Sequence, residues 1–366
     1  LLPRQLTKEE LEQKKISEWL QKYTIEQKIG QLIMIGINDR TSLQYKDSLI
    51  SDIQSGKIGG IILFEKNISK TSTSPFLTLK GLIDSCQKFS TLKLFISIDE
   101  EGGKVHRLKE KYGFIRFPSA FEVGKSGRPD TMLNLSIQMA QQLHTLGINV
   151  NFAPCVDIAV NPNNPIIAKV QRSYSANPDT VSYFAEAFVS GHQKMNIITT
   201  LKHFPGHGSS TNDTHKGIAD VTNTWTKKEL TPYSYLIQKN LLDAVLSCHV
   251  TNCILDDQCI PATLSKKITT HLLRDSLGFK GVVFSDDMQM HAISQTYGFT
   301  ESIKMAINAG VDVLVFGNNV NISDRMSGKQ LHETLLNLYK SKAITEQRIN
   351  EAFIRVMLLK EKYKLI

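Results

Sequence analysis

Eight short apolar runs, each followed by polar or glycine residues and then by a stretch of helical spacing, constrain the fold of this chain more than any other feature. The runs are 31–37, 58–64, 92–98, 149–154, 197–202, 244–249, 281–285 and 312–316. Between them, 131–146, 180–195, 227–242, 266–277 and 300–309 carry helical periodicity, and Gly56, Gly147, Gly278 and Gly310 stand where C-caps belong. Eight strands alternating with helices predict an α/β protein, a (β/α)8 TIM barrel. A doubly wound open sheet gives the same alternation, but no GxGxxG follows the first run, which counts against a dinucleotide fold.

The residues that end the runs favour the barrel. Asp99-Glu100-Glu101-Gly102-Gly103 follows the third run, Asp157 the fourth, Lys202-His203 the fifth, His249 the sixth and Asp286-Asp287 the seventh. A barrel brings all of them to one mouth. No Pro-rich linker or solenoid repeat divides the 366 residues, so 1–366 is expected as a single domain with 1–28 as an N-terminal helical extension. Residues 8–32 read as one polar-faced helix, and the tail from Lys329 is expected to close the outer ring of helices.

Composition excludes several classes. With 41% hydrophobic and 21% charged residues, the chain has no apolar run long enough to span a bilayer. Its net charge of +8 is scattered, with no basic block interleaved with aromatics, so nucleic acid is not the expected partner. The five cysteines form no CxxC pair; Cys155 and Cys248 lie in apolar runs, and only Cys253 and Cys259 are placed to bridge. The sequence begins at Leu1 and is read as a processed or truncated product.

Chemistry concentrates in Lys202-His203-Phe204-Pro205-Gly206-His207-Gly208, followed by Asp213-Thr214-His215. Pro205 and two glycines predict a shaped loop rather than a helix or strand. Asp213 is spaced to hold the tautomer of His215, leaving the second ring nitrogen to exchange a proton with substrate. His203, His207, Asp213 and His215 are also acceptable zinc ligands, although Pro205 and Gly206 break the helix that HxxxH spacing needs. Asp286 ends an apolar run on the expected rim, as a nucleophile requires, but an N-cap there is an equal reading. Asp99, beside a Gly-Gly turn, suits vicinal hydroxyls, with Arg107 and Arg172 as candidate partners.

These segments resemble the family 3 glycoside hydrolases that act as β-N-acetylhexosaminidases. The likeness rests on the long histidine motif with its downstream Asp213-Thr214-His215, and on Ile58-Gly59-Gly60, Asp99 to Arg107, Asn151-Phe152-Ala153-Pro154, Arg172-Ser173-Tyr174 and Ser285-Asp286-Asp287-Met288. It implies Asp286 as nucleophile, His215 as general acid/base and Asp213 as its orienting partner. It further implies that Asp99, Arg107, Arg172, Lys202 and His203 bind N-acetylglucosamine. The family usually has Gln and Arg where this chain has Glu100 and Lys104; Glu100 is expected either to add negative charge beside Asp99 or to face away.

The activity implied is retaining β-N-acetylglucosaminidase action on peptidoglycan fragments or related oligosaccharides, through a covalent glycosyl-enzyme. No cofactor and no metal are expected, and the partner is a carbohydrate substrate met by a monomer. Alternatives are a phosphorylase on the same sugar, a metal-dependent barrel hydrolase, and a catalytically silent sugar-binding protein. The segment before the first run looks like exported members of the family, while unpaired thiols suit a cytoplasm; the bacterial periplasm or export is the expectation.

Overall fold

The computed structural model describes residues 7–213, 217–294 and 296–366. All eight runs are strands of one closed parallel barrel: β1 (Ile33–Gly36), β2 (Gly60–Leu63), β3 (Phe95–Ile98), β4 (Val150–Asn151), β5 (Ile198–Phe204), β6 (Ala244–Ser247), β7 (Val282–Asp287) and β8 (Val313–Phe316). β1 closes the ring on β8, with Ile33 beside Leu314 and Ile35 beside Phe316. Alternate residues along each strand face the barrel interior and the helical ring, and both faces are buried, which is why the strands read as unbroken apolar runs. Met34, Ile62, Phe95, Val150, Phe284 and Val315 form the interior cluster, while Ile33, Ile35, Ile61, Ile96 and Val283 pack under the helices.

β4 is only two residues long, and the side chains of Asn149 and Asn151 brace it against the chain of β3. Asn149 Oδ1 accepts the Ile96 amide at 2.8 Å, and Asn151 Oδ1 accepts the Glu100 amide at 3.0 Å. The second bond fixes the start of the loop after β3.

Three boundaries differ from the sequence reading. The N-terminal segment is two helices, Lys8–Lys22 with no buried residue and Ile25–Gly30. Tyr23 ends the first, and Thr24 caps the second through a Thr24/Gln27 capping box; the second helix buries Ile29 and Gly30. The C-terminal helix Glu346–Lys362 does more than complete the outer ring: Val356, Leu359 and Tyr363 join the interior cluster and floor the barrel. There the buried Lys360 Nζ donates to Gln31 Oε1 and to the Lys93 carbonyl, both at 2.6 Å. Third, β5 continues through Phe204, so the shaped loop begins only at Pro205.

Cys253 and Cys259 form a disulfide, and Cys86, Cys155 and Cys248 are buried free thiols. The disulfide closes a loop beside a two-residue parallel pairing of Ala219–Asp220 with Val250–Thr251. Among the described residues, no helix is long and apolar enough to cross a membrane.

Candidate active site

The C-terminal ends of the strands open into a cavity of about 280 Å³, whose lining includes Ile62, Phe64, Asp99, Arg107, Phe152, Asp286 and Gln289. Its apolar floor is the top of the barrel core; Phe152 and Phe284 meet edge to face at 5.4 Å. Residues 99, 107 and 286, far apart in sequence, therefore share one pocket.

Asp99 is held from two sides. Its Oδ1 accepts from Lys202 Nζ at 2.8 Å and its Oδ2 from Arg107 Nη2 at 3.0 Å. Burial alone would raise this carboxyl, but the two cations outweigh it and hold it well below the usual carboxylate range. Lys202, buried at the end of β5, also contacts Glu101 Oε1 at 2.6 Å. Glu101 in turn takes both arms of Arg172, at 2.9 and 2.7 Å, and its carboxyl falls to about 2 because Arg172 and Lys202 overcome burial. Arg172 therefore pairs with Glu101 and not with Asp99.

His203 extends this line of contacts. Its Nε2 lies 3.2 Å from Arg172 Nη2 and its Nδ1 lies 2.5 Å from Asp157 Oδ2. Asp157, fully buried, also accepts the His207 amide at 2.8 Å; burial opposes its ionisation, and His203 more than compensates, keeping it well below the usual range. The Lys202–His203 peptide is cis, as are the peptides to Pro154 and Pro205.

Glu100 faces away from the pocket. It is fully buried, and its Oε2 accepts the backbone amides of Arg107 and Leu108 at 2.9 and 3.2 Å. Burial lifts its carboxyl to about 8, so at neutral pH it is mainly uncharged. The expectation of extra negative charge beside Asp99 is corrected accordingly: Glu100 shapes the loop that presents Arg107.

Asp286 stands on β7 itself, one residue before the strand ends, and lines the pocket. Its Oδ1 accepts the Asp287 amide at 2.8 Å. The turn that follows is organised by Asp287 Oδ1, which accepts the amides of Gln289 and Gly317 at 3.0 and 3.1 Å. The N-cap reading of Asp286 is thus not realised.

After β5 the loop is clamped by its backbone. Asn164 Nδ2 donates to the His207 carbonyl at 2.7 Å, and Glu229 Oε2 accepts the Gly208 amide at 3.0 Å. His207 Nδ1 lies 2.7 Å from Ser210 Oγ, and burial lowers its imidazole to about 4, so it is neutral. Asp213 is half-buried; Thr214, His215 and Lys216 lie outside the described residues.

Among the described residues, His203, His207 and Asp213 do not bring their ligand atoms together as a group. His203 commits one nitrogen to Asp157 and the other to the Arg172 guanidinium. Cys155, Asp157 and His203 do bring ligand atoms within 4.8 Å of one another. That cluster also lies against a guanidinium, and burial holds the Cys155 thiol protonated, so the donors do not fit a cation.

Of the residues expected at the site, Asp99, Arg107 and Asp286 line this pocket, while Lys202, Arg172 and His203 are joined to it through Asp99 and Glu101; the sequence reading missed the work of Glu101, Asp157, Asn164 and Glu229. Glu101 and Asp157 were visible as strand-end acids. Glu229 gave no signal and Asn164 none of its role, because both act on loop backbone that only the fold brings to them.

The glycosyl hydrolase family 3 N terminal domain matches residues 24–359. Beta-hexosaminidase A of Pseudoalteromonas piscicida is 31% identical over 324 residues, covering 83% of this chain and 53% of that protein, so the chain spans about half the relative's length. A beta-hexosaminidase of Tolumonas auensis is 34% identical over 267 residues, covering 72% of this chain and 76% of its own length. Among solved structures, a glycoside hydrolase family 3 beta-N-acetylglucosaminidase from Paenibacillus sp. str. FPU-7 superposes with a TM-score of 0.83 at 32% identity, covering 94% of this chain and 63% of the other. A match running from the Thr24 cap through nearly all of the last helix, on a closed eight-stranded barrel, makes this chain a member of glycosyl hydrolase family 3.

Proposed function

We propose that this protein is a retaining β-N-acetylglucosaminidase that removes terminal N-acetylglucosamine from peptidoglycan fragments or related oligosaccharides. The observation that carries the reading is Asp286 on the wall of the cavity that also holds Asp99 and Arg107. Asp99 accepts from sugar hydroxyls, while Arg107 and Lys202 donate to them; Arg172 and His203 complete the charged wall against which the ring is oriented. Relatives named as beta-hexosaminidases and beta-N-acetylglucosaminidases support the choice of sugar.

In this mechanism the Asp286 carboxylate attacks the anomeric carbon as the bond to the leaving oxygen breaks, and His215 delivers a proton to that oxygen. His215 then removes a proton from water, which attacks the glycosyl-enzyme and releases the sugar with its original configuration and Asp286 as carboxylate. Asp213 orients the imidazole.

A fluorinated N-acetylglucosaminyl donor is expected to label Asp286, read by peptide mass spectrometry, and Asp286→Asn to prevent labelling. Turnover is expected to be indifferent to chelator. Free N-acetylglucosamine is expected as product even with phosphate present; a sugar 1-phosphate would turn the reading to phosphorolysis, and labelling elsewhere would overturn the assignment of Asp286.

A further inference from the structure

Glu229 lies in the turn Lys227–Leu230, is 1% exposed, and takes no part in the pocket described above. Its surroundings are the loop that leads to Asp213. The Gly208 amide donates to its Oε2 at 3.0 Å, and at Gly206 the chain passes so close that an added Cβ would stand 2.6 Å from Glu229 Cβ. The same segment grips the loop twice more: Trp225 Nε1–H donates to the Pro205 carbonyl at 2.9 Å, and Tyr233 packs edge-on against Phe204 at 5.2 Å.

On the opposite side, Asp157 takes the preceding amide, that of His207. Two consecutive N–H groups thus reach two different buried carboxylates. Asp157 also orients His203 and so belongs to the sugar wall. Glu229 has no such second role; it meets the pocket only through the loop. Burial pushes the Glu229 carboxyl up to about 7 against the donors at Gly208 and Ser209, so a polar group is held beneath this turn at a cost in desolvation.

We propose that Glu229 is a positioning residue for proton transfer: by accepting the Gly208 amide it fixes the turn from which the chain leads to Asp213, so that protonation of the leaving group, and not sugar binding, depends on it. This rests on the reading of Asp213 and His215 as the proton-transfer pair.

The test compares kcat/KM for an aryl N-acetylglucosaminide whose leaving group needs no protonation, such as dinitrophenol, with that for one whose leaving group does, such as methoxyphenol. Glu229→Ala is expected to lower the second by roughly tenfold or more and the first by less than about threefold, with KM unchanged. Glu229→Gln keeps an acceptor for the Gly208 amide and is expected to restore most of the loss. Should Glu229→Ala fail to fold, Trp225→Phe, which removes only the bond to Pro205, is expected to give the same pattern in weaker form. Equal losses on both substrates, a raised KM, or a Glu229→Gln variant as damaged as Glu229→Ala would overturn the proposal. His215→Ala separates the two readings. If it lacks the leaving-group signature, the proton-transfer assignment falls and this inference with it; if it shows the signature and the Glu229 and Trp225 variants do not, only this inference falls.

Discussion

Arg172 and Glu101 meet through two parallel hydrogen bonds, Nε to Oε2 at 2.9 Å and Nη2 to Oε1 at 2.7 Å, with both side chains nearly buried. A planar fork facing a carboxylate fixes orientation as well as charge. Arg172→Lys keeps the charge and loses the fork, freeing Glu101 to pivot on Lys202 and shifting both Lys202 and His203. We expect kcat/KM on an aryl N-acetylglucosaminide to fall by about 10²-fold with the fold intact, measured by steady-state kinetics beside circular dichroism.

Glu100 makes stability depend on pH. Its carboxyl is raised from 4.5 to about 8 in the fold, chiefly by burial. The folded state thus holds a proton that the unfolded chain releases above 4.5, so the associated stability is complete below that pH and is lost as pH rises through about 8. Glu100→Gln keeps an acceptor for the Arg107 and Leu108 amides without a charge to bury. Its melting temperature relative to the parent is expected to rise steadily across this window, by several degrees at the alkaline end; a constant difference would contradict the account.

Asp312, fully buried just before β8, gathers three guanidinium groups: Arg274 at 2.6 Å, Arg348 at 2.9 Å and Arg355 at 3.0 Å. Burial opposes its ionisation, and the three cations prevail, lowering its carboxyl below 3.8. Asp312→Ala leaves those cations without their shared partner and is expected to destabilise the protein by about 3–5 kcal/mol in urea unfolding at neutral pH. The contribution is present above 3.8 and is lost as pH falls, so the two proteins are expected to converge in acid.

Gly208 approaches the chain so closely that a Cβ would lie 1.8 Å from the Ile158 carbonyl oxygen. Gly208→Ala must push the loop off that carbonyl, displacing the backbone that Asn164 and Glu229 hold. A stability loss of about 1–3 kcal/mol is expected, with a larger fall in turnover of substrates that need a protonated leaving group than of activated ones.

What was legible in the sequence follows from the geometry of a parallel barrel. Strands buried on both faces must be apolar throughout, so stretches such as Gly60–Leu63 and Val313–Phe316 announce themselves without tertiary information. Side chains at strand ends share one mouth by topology alone, which is the reason to expect Asp99, Lys202 and Asp286 at the same end of the barrel. Thr24 was the missed local signal: a Thr three residues before Gln is a helix start, and it divides the segment read as one helix.

Other questions lay beyond the sequence, because they turn on which partner lies nearest in space. Whether Asp286 caps a helix or lines a cavity depends on how far β7 runs, and it runs through Asp287. Arg172 could serve any acid of the Asp99-Glu100-Glu101 run. Packing gives it Glu101, sends Glu100 inward to backbone amides where burial neutralises it, and leaves Asp99 to Lys202 and Arg107. The sequence by itself determined the alternation of strands and helices and the residue types at the strand ends, since those follow from local periodicity, while its motifs carried the likeness to the family. Only the tertiary structure decided the pairing and charge of the acids, because ionisation answers to desolvation and to cations brought close by the fold.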